Sequence, residues 1–567
     1  LNYKIKGTLQ FAAFFVTHHL NIMRSYFLLI FVLSSFFHSY AQQFSRKDSL
    51  RGALRNERTC FDVVHYDLSV NFDFKRKYIY GKNQITAVNI HPSTSIQLDL
   101  FENMKVISVE DIHHQQLSFK REHQAIFIQL PSGVNVKDTF QLIVKYEGQP
   151  IEAKMPPWDG GFVWSKDGQG KDWVSVACEG IGASLWWPNK DHLSDEPESM
   201  DIRLGVPTDL MAISNGNLMD ERITDSLRIF HWKVSYPINN YNVTFYIGNY
   251  INLNDEFIGS EYNYPIDYYV LEENVSKAEQ HFEQVKPMLE CYEKRLGPYP
   301  FPHDGFALVE SPYLGMEHQS AIAYGNNFLP GYAGLDYSML GLKFDYIIVH
   351  ETGHEYWGNS VSMKDIADMW IHEAFCTYSE VIYVECMYGK ETALKYANAW
   401  KYRVANDKPV QGFYDVNNEG SSDMYYKGAL MLHTLRFLIQ DDEVWWSLLR
   451  KIQINFKYQT VSGKELIQFV NAKLGKDYTW LFNQYLKSTQ VPILKVSFKK
   501  KKNKTLIKYR WENSNPDFVL PVSLLVDKKN TITLFPVAKQ WKNSLIDFPV
   551  SSDFSFDQDY GFFNIKK

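Results

Sequence analysis

The stretch that decides the reading is residues 344–373, FDYIIVHETGHEYWGNSVSMKDIADMWIHE. It holds His350, Glu351 and His354 in the order H-E-x-x-H. Residues four apart on a helix lie on one face, one turn above the other, so both imidazoles can reach one zinc ion. Glu351 sits one step round the helix, where its carboxylate reaches a metal-activated water without ligating the metal. A catalytic zinc takes three protein ligands and keeps one position open. Eighteen residues separate His354 from Glu373. That is enough chain to end the first helix near Gly358-Asn359, turn, and return a second helix carrying the third ligand. The apolar run Tyr346-Ile347-Ile348-Val349 marks the first helix as buried, and two histidines and a glutamate in a buried helix require partners.

H-E-x-x-H-x18-E, with Tyr356-Trp357-Gly358-Asn359 and Trp370-Ile371-His372-Glu373-Ala374-Phe375, resembles the gluzincin aminopeptidases of the aminopeptidase N and leukotriene hydrolase type. The family pattern around the third ligand is W-L-N-E-G-F. Here His372 replaces Asn and Ala374 replaces Gly. The resemblance implies Zn2+ held by His350, His354 and Glu373, with Glu351 as general base. It extends from about Cys60 to the end of the chain. It also implies a multidomain α+β fold: an N-terminal all-β saddle-like domain, a thermolysin-like, mostly helical catalytic domain, and a small C-terminal β domain.

A chain of 567 residues exceeds one core and predicts several domains. The formal net charge of −6 argues against nucleic acid as a partner. Met23-Arg24, an apolar run over 27–37 and Ser39-Tyr40-Ala41 have the three parts of a secretory signal, with cleavage expected after Ala41 and Met23 as the expected start. The run is short for a transmembrane helix, and no later segment is apolar enough to span. The protein is therefore expected in the periplasm or medium, with no stable membrane span once the signal is removed. Five cysteines without a C-x-x-C form neither a disulfide framework nor a zinc ribbon, and Cys376 reads as a buried thiol.

The expected domains are 42–255 (β), 256–490 (catalytic) and 491–567 (β). His65 to Phe72 alternates, with Tyr66, Leu68, Val70 and Phe72 on one face. Shorter alternating runs recur at 95–100, 125–130, 139–146, 202–206 and 241–247. Residues 275–296 have helical periodicity up to the stop signal Gly297-Pro298, with a kink expected at Pro287. Leu494, Val496 and Phe498 alternate again, and the basic cluster 499–504 reads as a solvated hairpin tip.

The resemblance assigns further residues. Ala177 and Glu179 align with a Q-x-E loop, which makes Glu179 an acceptor for a substrate α-ammonium. Leu314-Gly315-Met316-Glu317-His318 aligns with G-x-M-E-N, with Gly315 and Met316 beside substrate backbone and Glu317 as the second ammonium acceptor. Ser421 to Leu430, SSDMYYKGAL, resembles a Y-E-K-G segment and makes Tyr425 the oxyanion donor, since a phenol stays protonated at neutral pH. Glu380 lies two turns beyond Glu373 on the same face and is placed to orient a ligating histidine. The expected activity is zinc-dependent removal of the N-terminal residue from peptides with a free amino terminus. The alternatives are an endopeptidase or bifunctional hydrolase on the same site, and an inactive exported binding protein.

Overall fold

The alternation at 66–72 becomes the centre of a long strand, Phe61–Asp73, whose Tyr66, Leu68, Val70 and Phe72 are all buried. In the computed structural model, which describes residues 44–567 except 132, 225, 528, 552 and 553, this strand lies mid-sheet. It pairs antiparallel with Tyr78–Asn89 and parallel with Ser199–Val206 in a seven-stranded sheet. A second sheet of four strands ends on Gly161–Lys166 and carries Asp172–Ala177 one place in. Residues of both sheets and of a small three-stranded sheet share one apolar core, which holds Trp186 and Trp187. The run at 241–247 starts as a turn of 3-10 helix, Asn240–Asn242, and becomes strand only at Phe245–Gly248. The predicted signal and its cleavage point lie outside the described residues.

The boundary expected at 255/256 falls inside a strand. Tyr250–Ile258 pairs along its whole length with Asn263–Leu271, which runs parallel to Phe306–Glu310. Its ladder therefore belongs to the five-stranded sheet that ends on the edge strand Gly315–Met316. Composition cannot mark this change, because β continues on both sides.

The periodic segment at 275–296 is two helices, Val275–His281 and Val285–Leu296, joined by a 3-10 turn, Phe282–Gln284. Proline lacks an N–H and its ring crowds the carbonyl four residues back, so Pro287 breaks the ladder at Glu283 rather than bending it locally. The helices Tyr346–Tyr356, Trp370–Tyr388, Tyr426–Ile439 and Asp442–Phe456 pack beyond the sheet. Gly353 allows a close crossing of the first two, since a Cβ there would lie 2.9 Å from Cys376 Sγ. Ala374 meets Gly428 in the same way, at 2.6 Å from its notional Cβ.

After Pro492 the chain returns to strand. Ile493–Lys501 and Lys504–Glu512 form a hairpin, so the basic cluster occupies strand ends as well as the tip. This β region is not a separate core, because Phe518 packs edge-on against Trp480 and Tyr485 of the last helix. Cys291 and Cys386 form a disulfide between two helices, and Cys60, Cys178 and Cys376 are free and buried. No helix among the described residues is long and apolar enough to cross a membrane.

Candidate active site

Asp345 caps the motif helix by accepting from the N–H groups of Ile347 and Ile348. Ten residues of that helix are buried, His350, Glu351 and His354 among them. The helix stops at Trp357, and Gly358 turns the chain at φ 129°. A side chain at Gly358 would also press on His354, with its Cβ 3.2 Å from Nδ1. The returning helix brings Glu373 back to the two imidazoles.

Glu373 Oε2 lies 3.5 Å from His350 Nε2 and 3.6 Å from His354 Nε2. Each ring is fixed from behind. His354 Nδ1 is 3.0 Å from the Trp357 carbonyl, an acceptor only, so Nδ1 carries the proton and Nε2 presents a lone pair to Glu373. His350 Nδ1 is held by Glu380 Oε1 at 2.9 Å, and Glu380 Oε2 accepts from Tyr396 O–H at 2.7 Å. Two imidazole lone pairs and a carboxylate oxygen thus face one another, and that oxygen, buried, has no hydrogen-bond partner. A cation satisfies three converging acceptors, and two nitrogens plus one oxygen suit zinc. Cys376 stands behind this set. Its thiol donates to the His350 carbonyl at 3.1 Å, and burial raises its pKa well above the usual thiol range.

Glu351, Glu317 and His354 place ligand atoms within 4.8 Å of one another. A Cβ at Gly315 would come 2.7 Å from Glu351 Oε1, so glycine at this position is what lets the carboxylate lie against the edge strand. Burial pushes Glu351 up to about 8, with His350 pulling down and Glu317 and Glu373 pushing up. Glu317 accepts from Tyr241 O–H at 3.0 Å. Glu179 follows the strand Asp172–Ala177, and its buried Oε1 has no partner. Burial, then Glu317 and Glu373, raise it well above the carboxylate range. Ala177 is in the β core and offers no polar contact. Tyr425 precedes the helix Tyr426–Ile439 and donates to Glu373 Oε1 at 2.9 Å. Burial and Glu373 raise it well above 10, so it keeps its proton. Glu179, Gly315, Met316, Glu317, His350, Glu351, His354, Glu373 and Tyr425 line one cavity of about 670 Å3.

Several contributors escaped sequence reasoning. Tyr241 comes from the β domain and reaches Glu317 across the interface. His372, where the family has Asn, accepts the Met363 N–H at Nε2, 2.8 Å away, and turns Nδ1 toward the Tyr241 oxygen at 3.5 Å. His318, the other replaced Asn, donates from Nδ1 to the Tyr246 hydroxyl oxygen at 2.7 Å, and that hydroxyl donates to the Ala321 carbonyl. Arg51 donates to the carbonyls of Gly180 and Ile181 and so holds the loop that carries Glu179. None has a local pattern, since each contact joins residues remote in sequence.

This two-domain arrangement, with its H-E-x-x-H-x18-E centre, defines a gluzincin-type metallopeptidase. The peptidase family M1 domain matches residues 280–485 and the peptidase M1 N-terminal domain matches 63–241. The chain belongs to peptidase family M1. It is 22% identical over 431 residues to human endoplasmic reticulum aminopeptidase 1, covering 71% of this chain and 44% of that one. It is 25% identical over 457 residues to leukotriene A-4 hydrolase of Xenopus laevis, covering 72% and 68%. The chain spans about half the length of several curated relatives it matches, such as the endoplasmic reticulum aminopeptidases. Among solved structures, an M1 zinc metallopeptidase variant of Deinococcus radiodurans bound to a Tyr-Ser-Ala substrate aligns with TM-score 0.62 at 20% identity, covering 75% of this chain and 94% of that one. A two-domain M1 zinc metallopeptidase variant bound to L-tryptophan aligns with TM-score 0.64 at 21% identity, covering 79% and 98%.

Proposed function

We propose that the protein is a zinc aminopeptidase that removes the first residue from peptides with a free amino terminus. The observation that carries this is the pair Glu179 and Glu317 beside Glu351 in one cavity. Burial and Glu317 make Glu179 hold a proton in the empty cavity, and a cation between the two carboxyl groups lets both ionise; a peptide's α-ammonium is such a cation.

His350, His354 and Glu373 would hold the zinc, which when bound supplies Lewis-acid polarisation and a lowered pKa for water. Glu351 accepts the proton of the attacking water and returns it to the leaving amine. Tyr425 O–H donates to the oxyanion of the tetrahedral state, released for this from Glu373. Glu317, aligned by Tyr241, and Glu179 hold the ammonium, which fixes the first peptide bond over the metal. The edge strand Gly315–Met316 has a free side for substrate backbone.

We further propose that the protein works in an oxidising compartment outside the cytosol. The signal-like start and the Cys291–Cys386 disulfide support this. Thiol counting on protein from its native host checks it: three free thiols are expected and five would contradict it.

Incubation of an unstructured decapeptide with the zinc-loaded chain, read by mass spectrometry, tests the reaction. One-residue losses from the amino end are expected. Internal fragments without that ladder would overturn the assignment.

A further inference from the structure

The cavity is rich in acid. Glu179, Glu317, Glu351, Glu373 and Glu419 all line it. Arg403 is the single lysine or arginine among its described lining residues. It follows the 3-10 turn Trp400–Tyr402, and its guanidinium lies 4.1 Å over the Tyr337 ring and 5.8 Å over the Tyr426 ring. Among the described residues its partners are these aromatic rings and the Tyr426 hydroxyl, with no carboxylate in ion-pair contact. A guanidinium with no carboxylate partner in so acidic a cavity, flanked by two rings, is placed to donate to a carboxylate through two parallel N–H bonds.

Its place relative to the reacting bond follows from its neighbours. Tyr426 adjoins Tyr425, whose hydroxyl is on Glu373. Tyr346 stacks on His350 at 5.2 Å and lines a side pocket together with Arg403, Tyr337 and Tyr426. Arg403 therefore belongs to the wall on the motif-helix side. Glu179 and Glu317 belong to the stretch of wall formed by the β-domain loop and by the edge strand, which packs on the motif helix at Ile347 and Glu351. There a Cβ on Gly180 would stand 3.7 Å from Glu419 Oε2, which keeps the acid on that side. A peptide held by its ammonium at Glu179 and Glu317 therefore lies in the cavity that Arg403 also lines.

We propose that Arg403 anchors the C-terminal carboxylate of the substrate, so that the cavity takes short free peptides by both ends. This rests on the aminopeptidase reading and adds the substrate class: unblocked peptides of a few residues rather than long chains. An extended residue advances roughly 3.3–3.6 Å, so only a narrow range of lengths can place both charges at once.

The test is a set of matched leucyl peptides, Leu-(Gly)n with n from 1 to 5, each as the free acid and as the C-terminal amide. They are assayed with the zinc-loaded parent and with Arg403→Gln and Arg403→Lys. The parent is expected to favour the acid by about 10- to 100-fold in kcat/KM at one or two lengths, mostly through KM, and to lose that preference as the peptide lengthens. Arg403→Gln should bring the acid-to-amide ratio to about one, and Arg403→Lys should restore part of it. Melting temperatures within a few degrees of the parent exclude a folding defect. Equal cleavage of acid and amide by the parent would overturn the proposal, as would an acid preference that survives Arg403→Gln. So would an Arg403-dependent preference for Asp or Glu inside amidated peptides, which would assign the guanidinium to an acidic side chain. Cleavage of the amides with no acid preference would sink this inference alone. Cleavage of neither series would remove the aminopeptidase reading and this one with it.

Discussion

Glu380→Gln isolates the contribution of one buried charge to the metal centre. The carboxylate meets His350 Nδ1 at 2.9 Å and Tyr396 O–H at 2.7 Å, and it is fully buried. Glutamine is isosteric and its amide oxygen can still accept from Nδ1–H, so the ring keeps its orientation. What is lost is the charge and the acceptor facing Tyr396, whose hydroxyl must turn to accept from the amide NH2. A hydrogen bond to a charged group contributes about 1.5–3 kcal/mol and a neutral one about 0.5–1.5. The difference, about 1–2 kcal/mol, falls on the basicity of Nε2 and hence on the metal. At 1.4 kcal/mol per decade this is a roughly 5- to 30-fold loss of zinc affinity, overlapping the lower part of the roughly 10- to 100-fold range usual for partners of ligating histidines. Competition with a chromogenic chelator at pH 7.5 measures it directly, with circular dichroism as the folding control. Affinity within twofold of the parent would refute the claim that Glu380 tunes His350.

Glu351→Gln should keep zinc at parental stoichiometry while kcat falls by about 10²–10⁴-fold, the usual worth of a general base; metal content by mass spectrometry and kcat on one substrate separate the two effects. Gly315→Ala adds a Cβ 2.7 Å from Glu351 Oε1 and should lower kcat at least tenfold with little change in melting temperature, because the base is pushed aside while the fold survives; unchanged kcat would show that Glu351 does not need that glycine. His318→Asn installs the family residue. Burial lowers His318 from 6.5 to about 3, so its contribution is present above 6.5 and fades as pH falls toward 3. The stability gap between parent and variant in urea should therefore narrow by roughly 2 kcal/mol from pH 7.5 to 5.0, at 1.36 kcal/mol per unit; a gap independent of pH would contradict the buried neutral imidazole.

The residues of the candidate metal centre were legible because they are written at helical period. His350, Glu351 and His354 share one helix, and Glu380 lies two turns from Glu373 on another, so one rule of geometry places them. The β alternation at 66–72 was equally plain, since one buried face imposes period two. The rest needed the fold. Tyr241, Arg51 and Arg403 act through contacts that join remote segments, and no spacing announces them. The partnership of Cys291 with Cys386 depends on two helices meeting. The domain change near Tyr250 is hidden because strand runs on into strand. His372 and His318 stood out only as departures from a family pattern, and their roles follow from the N–H or O–H that each one meets.

The most direct measurement takes residues 42–567 through a panel of aminoacyl fluorogenic amides and their amino-blocked counterparts, with and without chelator. Cleavage of the free-amine set alone is expected, abolished by chelator and restored by zinc. Cleavage of the blocked set at comparable rates would contradict it, because Glu179 and Glu317 would then have no ammonium to hold.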